Sequence, residues 1–385
     1  MTEKLYYTDP FLREFTATVL SCESAKEGFA VVLDRTTFYP EGGGQPADHG
    51  TLGGATVSDT REKDGLIIHT CDKALEAGST VTGVIDWERR FDHMQQHSGE
   101  HIISGMICAK YGCDNVGFHL GKDTVTIDFN ADIPMEDLPG LEAAANAYIW
   151  GDSPIHIRFL EGDALRQAEY RSKKFIPGLV RLVAFPGADC CACCGTHVNT
   201  AGQVGMVKLL SCQKFREGVR MELLCGKRAA DHFAAVLEQN TTVSRLLSAK
   251  PLQTAAAVER MKAELEALKW RVNALEESDF ARKAAEQAGK GDVVLFEGDM
   301  GADSVRKLCD AVLNTCGGRC AIFAGSEGNY KYAIGTREGD IRPLVKELNA
   351  ALNGRGGGKP NFQQGTVSAS EAAIRHFFEG ITPDR

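Results

Sequence analysis

The chain has 385 residues, more than one ordinary domain of ~100–200 residues accounts for, so we expect two or three domains. Hydrophobic residues make up 43% and charged residues 25% of the sequence, which excludes disordered and fibrous classes. The formal net charge of −9 at pH 7 argues against binding along a nucleic acid without regard to its sequence, because such binding needs many lysines and arginines.

Local basic clusters and the cellular location can still be read from the chain. One cluster is Arg171, Lys173 and Lys174, and the other is Lys208, Lys214, Arg216 and Arg220; an ordinary solvated surface is an equal alternative for each.

No stretch approaches the run of about 18 apolar residues typical of a membrane span, and the N-terminus lacks the apolar core of a secretory signal. We therefore expect a cytoplasmic protein without a transmembrane helix.

The first 88 residues read as short alternating strands separated by turns, which predicts a small β-barrel-like domain. Tyr39–Gly50, YPEGGGQPADHG, has too many glycines and prolines for regular structure. Residues 89–228 begin with helical periodicity and continue with several strands, which predicts a helix packed on an antiparallel sheet. Together these patterns indicate an α+β multidomain protein.

The remaining sequence divides into a helical linker and a C-terminal α/β domain. Residues 229–290 predict two helices broken near Pro251, and residues 291–385 alternate strands and helices. The second linker helix has an apolar seam with 3-4-3-4-3 spacing, formed by Val258, Met261, Leu265, Leu268, Val272 and Leu275. Such a seam predicts a homodimer through the linker and the C-terminal domain, although packing within the chain is nearly as well supported. The glycine-rich segment 353–365 could be a linker.

Two residue pairs predict a metal site. His97 and His101 stand four residues apart on the predicted helix, so both imidazoles lie on one helical face. Cys193 and His197, within DCCACCGTH, repeat this spacing, and a thiolate with imidazoles suits zinc. The chain has thirteen cysteines, and in a chain of this length we expect reduced thiols and metal ligation. Spacing leaves rivals open for these positions, namely His93, Cys190, Cys191 and Cys194.

Four motifs in this order resemble the long form of the AlaX-type alanyl-tRNA editing proteins, relatives of the editing domain of alanyl-tRNA synthetase. The motifs are FYPEGGGQPADHG, MQQHSGEH, CCGTHVNTAGQVG and GRGGGKPNFQQG. The resemblance implies that one Zn²⁺ is bound by His97, His101, Cys193 and His197, and that residues 291–385 form a DHH-associated domain. Two positions depart from the family pattern, because Glu100 stands where glutamine is usual and Cys194 where glycine is usual.

The resemblance also implies a function, namely trans-editing hydrolysis of the ester of tRNA(Ala) mischarged with serine or glycine. As a hypothesis, Gln45 supplies a neutral amide near the ester, and Gly42, Gly43, Gly44 and Thr196 contribute to the substrate pocket. Glu100 could act as a general base, as a partner of a zinc-bound histidine, or as a solvated helix residue; we favour the last two.

Two other functions remain open from the residues alone. His97, Glu100 and His101 also fit the H-x-x-E-H pattern of a zinc metallopeptidase, which would need a carboxylate as its third ligand. Alternatively, zinc could only stabilise a non-catalytic RNA-binding protein, because four protein ligands leave no open position for water.

Overall fold

The computed structural model describes residues 1–172, 176–326 and 328–380. They fall into two units, Met1–Thr242 and Val243–Arg385, and the predicted α+β multidomain class is confirmed. Across these described residues, no helix is both long enough and apolar enough to span a membrane.

The first unit begins with a closed barrel of six strands. In pairing order, the barrel strands are Glu14–Ser24, Phe29–Leu33, Leu66–Cys71, Ala55–Lys63, Gly50–Leu52 and Thr80–Ile85. Alternation places one side of each strand inside, so Phe15, Ala17 and Val19 are buried between more exposed neighbours. Outside the barrel, Glu3–Lys4 pairs in parallel with Arg35–Thr36, and a short helix, Leu5–Thr8, follows Glu3–Lys4 in the chain. The six strands pair in a closed ring, so the loops between them are free to contact other parts of this unit.

A helix of 25 residues, Trp87–Tyr111, follows the barrel directly, and we call it the histidine helix. The Asp86 side chain caps its N-terminus by accepting a hydrogen bond from the Arg89 N–H, and Gly112 ends it in the left-handed region at φ 61°. Met94, Ile102 and their apolar neighbours enter the main core of this unit. Both predicted histidine ligands therefore lie on a helix that is buried along most of its length.

Two antiparallel sheets flank the histidine helix. The four-stranded sheet has the order Val207–Phe215, Gly218–Cys225, Val125–Phe129, Asn115–Leu120, and the three-stranded sheet has the order His156–Leu160, Val180–Phe185, Asp189–Ala192. The helices of this region are Leu138–Trp150 and Gly162–Arg166, with 3₁₀ turns at Met135–Asp137 and Ala201–Val204. The segment that follows Ala192 therefore leaves a sheet edge and carries Cys193 and His197 towards the helix.

A buried ion pair joins the loop Tyr39–Gly50, which we call the glycine loop, to the histidine helix. Arg90 and Asp48 are both fully buried, and the Arg90 Nε lies 2.9 Å from Asp48 Oδ2. Arg90 also donates to the carbonyl oxygens of Pro10 and Thr37, so its guanidinium is satisfied from several sides. Loss of either partner would leave an unpaired buried charge, which costs about 3–5 kcal/mol. This pair fixes the loop that contains Gln45 against the helix that contains His97.

The predicted helices on either side of Pro251 are present. They span Gly226–Leu246 and Thr254–Glu286, with a 3₁₀ turn at Pro251–Gln253 between them. Val258 is 37% exposed and Leu275 is 63% exposed, and the other seam residues lie between these values. The apolar seam is therefore open along the second helix.

A five-stranded sheet forms the centre of the second unit. Its strand order is Gly291–Glu297, Gly317–Ser326, Asn329–Gly335, Phe362–Val367, Arg355–Lys359, and only the first pair is parallel. Its helices are Ala302–Leu313, Arg342–Ala351 and Glu371–Glu379. Separate apolar cores form around Leu308 and around Phe323. The glycine-rich segment is thus not a linker, because its residues form two paired strands.

Candidate metal centre and its cavity

The four residues predicted as ligands come together in the first unit. The donor atoms of His97, His101, Cys193 and His197 all lie within 4.8 Å of one another. Cys193 Sγ is 3.4 Å from Nε2 of His97 and 3.4 Å from Nε2 of His197. Two bonds of about 2.3 Å and 2.1 Å at a tetrahedral angle place sulfur and nitrogen about 3.6 Å apart. The donor set therefore has the chemistry and the dimensions of a tetrahedral zinc site.

Each of the three histidines is oriented by a partner on its other ring nitrogen. His97 Nδ1 donates to Gln45 Oε1 at 2.9 Å, and His101 Nδ1 donates to Asp189 Oδ2 at 2.8 Å. Amide and carboxylate oxygens only accept here, so Nδ1 carries the proton in both rings, and in a neutral ring Nε2 is then left as the metal-binding nitrogen. His197 Nδ1 lies 3.3 Å from Ser98 Oγ. All three rings thus keep Nε2 for a common point, an arrangement that raises ligand basicity in metal sites.

Charge at the cluster supports cation binding. Arg171 makes two 2.8 Å hydrogen bonds to Asp189, one to each carboxylate oxygen. Burial opposes ionisation of Asp189, but the hydrogen bonds from His101 and Arg171 outweigh it and hold the pKa of this carboxyl below its ordinary value. Burial also opposes ionisation of Cys193, but the nearby His97 and His197 hold the pKa of its thiol well below its ordinary value. The thiolate form, which binds metals, is therefore favoured.

Gln45 and Thr196 lie behind His97. Both are fully buried, and the Gln45 amide donates to Thr196 Oγ1 at 2.9 Å while its oxygen accepts the Thr196 N–H at 3.1 Å. Gly195 adjoins the same place, where an added Cβ would lie 2.2 Å from Cε1 of His97. These contacts let the loop that carries Cys193 and His197 pack closely against the imidazole.

A cavity of about 460 Å³ opens from the ligand cluster. His97, His101 and Cys193 line it on one side, and Val116, Phe118 and Ile176 supply apolar walls. Gly43 also lines it, with a left-handed backbone at φ 60°. Gly42, Gly44 and Thr196 are not among the described residues that line the cavity. Gly44 packs directly on Phe118, where an added Cβ would lie 2.6 Å from the ring. The glycine loop thus forms and supports one wall.

Glu100 also lines the cavity but does not contact a histidine among the hydrogen bonds of the described chain. Its Oε1 accepts hydrogen bonds from Ser104 Oγ at 2.7 Å and from Asn115 Nδ2 at 2.6 Å. Glu100 is only 4% exposed because it lies on the buried side of the histidine helix. The expectation that it is a solvated helix residue is therefore wrong. Its carboxylate instead holds Asn115 at the cavity wall.

The rival ligands do not join the four-residue donor group, although Cys191 and Cys194 line the same cavity. Cys190 belongs to no donor group of the described residues. His93 lines a different cavity, Cys191 groups with His101 and Asp189, and Cys194 is exposed with its Sγ 3.7 Å from the Tyr39 hydroxyl. No pattern in the sequence indicated the roles of Arg171, Ser98 and Asn115. The role of Asp189 did have a signal in the sequence, because this carboxylate stands at the start of the cysteine motif, close to the candidate ligands.

Four of the five described residues in the two basic clusters form ion pairs. Arg171 pairs with Asp189, and Lys173 and Lys174 lie outside the described residues. In the second cluster, Lys208, Lys214 and Arg220 pair with Glu142, Asp132 and Asp128, respectively.

Three family models match parts of the chain. Residues 5–89 match "tRNA synthetases class II (A)", residues 180–220 match "Threonyl and Alanyl tRNA synthetase second additional domain", and residues 289–381 match "DHHA1 domain". The chain is 31% identical to alanyl-tRNA editing protein AlaX-L from Pyrococcus horikoshii over 97% of this chain and 96% of that protein.

Two further relatives extend this similarity. Alanyl-tRNA editing protein Aarsd1 from Danio rerio is 27% identical over 94% of this chain and 93% of its own length. Alanine–tRNA ligase from Halorubrum lacusprofundi is 31% identical over 94% of this chain but only 42% of its own length. The similarity thus extends over nearly the whole chain.

Gly195→Ala tests the geometry of the cluster. The added methyl group would overlap His97, so we expect Zn²⁺ affinity to fall by roughly 10- to 100-fold, the usual effect of disturbing the support of a metal ligand. Competition with a chromophoric chelator measures this affinity. Gly140→Ala is the matched control because nothing lies within 4 Å of its added Cβ; equal affinities in the two variants would contradict the packing argument.

Proposed function

Because this chain belongs to the AlaX-type alanyl-tRNA editing proteins, we infer that it is a hydrolase that removes a wrongly attached amino acid from tRNA(Ala). We propose further that the substrates are Ser-tRNA(Ala) and Gly-tRNA(Ala). The observation that carries the proposal is the buried cluster of three histidines and one cysteine opening on a cavity beside the glycine loop. The division into domains 1–88, 89–228, 229–290 and 291–385 is part of the same proposal.

We propose that the cluster holds one Zn²⁺ through His97, His101, Cys193 and His197. Bound by all four residues, zinc would have no open position and would organise the cluster and the cavity beside it rather than polarise the ester. The protein's own contribution is positional, since an aminoacyl ester is already activated and needs an oriented water and stabilised oxyanion. Gln45 acts by holding His97 and the Thr196 backbone, and Gly43 brings the main chain to the cavity wall. Gly42, Gly44 and Thr196 shape that wall from behind.

Discrimination against correctly charged Ala-tRNA(Ala) requires a polar group that rewards the serine hydroxyl. Asn115 lines the cavity, and its Oδ1 is buried without a hydrogen-bond partner in the described chain. Its amide nitrogen is occupied by Glu100 and Ser104. We therefore propose that Asn115 accepts a hydrogen bond from the seryl hydroxyl and that Glu100 positions Asn115.

The metallopeptidase alternative is less well supported by the same contacts. Glu100 already accepts two hydrogen bonds, and a thiol and a third imidazole complete the donor set without a carboxylate. An HxxEH peptidase needs neither Cys193 nor His197.

Cys193→Ala tests the proposed activity. We expect zinc-loaded wild-type protein to hydrolyse Ser-tRNA(Ala) or Gly-tRNA(Ala) faster than Ala-tRNA(Ala). The variant should lose zinc and at least ~100-fold in deacylation, because one of four ligands is gone. Metal content and release of labelled amino acid are measured on the same samples, with Cys212→Ala as the control. A wild-type protein that cleaves none of these tRNAs, or that cleaves casein, would overturn the proposal.

Asn115→Ala tests hydroxyl recognition. The ratio of kcat/KM for Ser-tRNA(Ala) to that for Ala-tRNA(Ala) should fall about tenfold, because a lost hydrogen bond affects only the substrate with the hydroxyl. Ser104→Ala disturbs the same network without removing the cavity acceptor, so its ratio should stay near that of wild type. If Asn115→Ala slows both substrates equally, the residue has only a structural role.

We also propose a homodimer through the exposed apolar seam of helix Thr254–Glu286. Six apolar side chains with coiled-coil spacing remain open there, and a second copy would bury them. Leu265→Glu with Leu268→Glu should convert a dimer to a monomer in analytical ultracentrifugation, whereas Lys262→Glu with Lys269→Glu should not. A wild-type monomer at micromolar concentration would contradict the proposal.

A further inference from the structure

A second cavity lies beside the ligand cluster, one turn towards the N-terminus of the histidine helix. It has a volume of about 280 Å³ and is lined by Pro46, Arg89, Asp92, His93, Gly121, Lys122 and Arg228. His93 precedes His97 by four residues, roughly 6 Å along the helix axis. The glycine loop borders the first cavity through Gly43 and the second through Pro46. The two cavities are therefore neighbours along the same surface elements.

The second cavity has an excess of positive charge. Asp92 is its one acidic residue among the described lining, and Arg228 binds both oxygens of that carboxylate, with Nη2 2.6 Å from Oδ2. Arg89 and Lys122 form no ion pair with any carboxylate of the described chain. Two cationic side chains thus remain uncompensated, which favours an anion and disfavours a metal ion.

His93 adds a hydrogen-bonding group that the fold leaves unused. It is 2% exposed, and its Nδ1 is buried without a partner in the described chain. Burial, together with the nearby Arg89 and Arg228, lowers the pKa of His93 to about 3. The ring is therefore neutral at physiological pH and carries one N–H, as in sites that bind anions through uncharged donors. Buried polar groups are normally satisfied, so this one points to a ligand.

We propose that this second cavity binds a backbone phosphate at the 3′ end of the tRNA substrate, with Arg89 and Lys122 supplying charge and His93 supplying a hydrogen bond. The inference rests on the proposed function, because the ester and the phosphates then belong to one RNA strand. Phosphate contacts fix register and orientation on the strand, so this cavity places the terminal nucleotide in front of the ligand cluster.

Two small substrates separate phosphate binding from ester hydrolysis. Seryl-adenosine carries the ester without phosphate, and seryl-CpCpA carries the same ester on a strand with backbone phosphates. Arg89→Gln with Lys122→Gln should lower kcat/KM for seryl-CpCpA about tenfold more than for seryl-adenosine. It should also reduce the salt dependence of log(kcat/KM) for seryl-CpCpA by about 0.7 for one lost phosphate contact.

The control is Lys26→Gln with Lys63→Gln, which removes the same charge from exposed barrel positions. It should leave the ratio of the two substrates at the wild-type value. An Arg89 and Lys122 variant that slows both substrates equally, or neither, would overturn the inference while leaving the deacylase proposal intact. A wild-type protein that hydrolyses neither of these substrates nor Ser-tRNA(Ala) would overturn the proposed function itself and this inference with it.

Inorganic phosphate distinguishes an RNA phosphate from a free anion. If the cavity serves the RNA strand, inorganic phosphate should inhibit wild-type hydrolysis of seryl-CpCpA more strongly than that of seryl-adenosine. If calorimetry detects phosphate binding that Arg89→Gln with Lys122→Gln abolishes, but phosphate does not inhibit seryl-CpCpA hydrolysis, the cavity serves a free anion and the inference is wrong.

Discussion

The site depends on three imidazoles and one thiol being held with their donor atoms within 4.8 Å of one another. Burial of so many polar groups is unfavourable unless each is satisfied, and here every imidazole has a partner on its outer nitrogen. Those partners come from three places: Gln45 from the glycine loop, Asp189 from the edge strand that opens the cysteine motif, and Ser98 from the histidine helix itself. The surrounding fold is therefore organised to keep three Nε2 atoms and one Sγ facing each other.

Contacts between the barrel's glycine loop and the histidine helix follow from this constraint. Gln45 reaches His97 only if its loop stays against the helix, and the buried pair of Arg90 and Asp48 holds it there. Gly195 then lets the cysteine loop approach the same ring. A substrate in the cavity would meet residues from both parts, with Gly43 from the barrel and Asn115 from the sheet.

Local sequence patterns predicted much of this arrangement. The two i,i+4 pairs identified the residues that come together, because helix and loop spacing are local properties. The editing family is confirmed by the comparisons, and the zinc ligands stay a prediction supported by their geometry. The sequence did not reveal the Asp189 and Arg171 pair or the unpartnered Asn115 oxygen, because each depends on contacts between segments distant in the chain. Likewise, paired strands in the glycine-rich segment depend on a neighbouring strand in the sheet.

X-ray absorption spectroscopy at the zinc edge of the zinc-loaded protein tests the proposed metal centre directly. We expect one sulfur at about 2.3 Å and three nitrogen ligands at about 2.0–2.1 Å, with imidazole scattering from three rings. A first shell with two or more sulfurs would bring in another cysteine, and a shell without sulfur would remove Cys193. Either result would contradict the assignment of His97, His101, Cys193 and His197 as the metal centre.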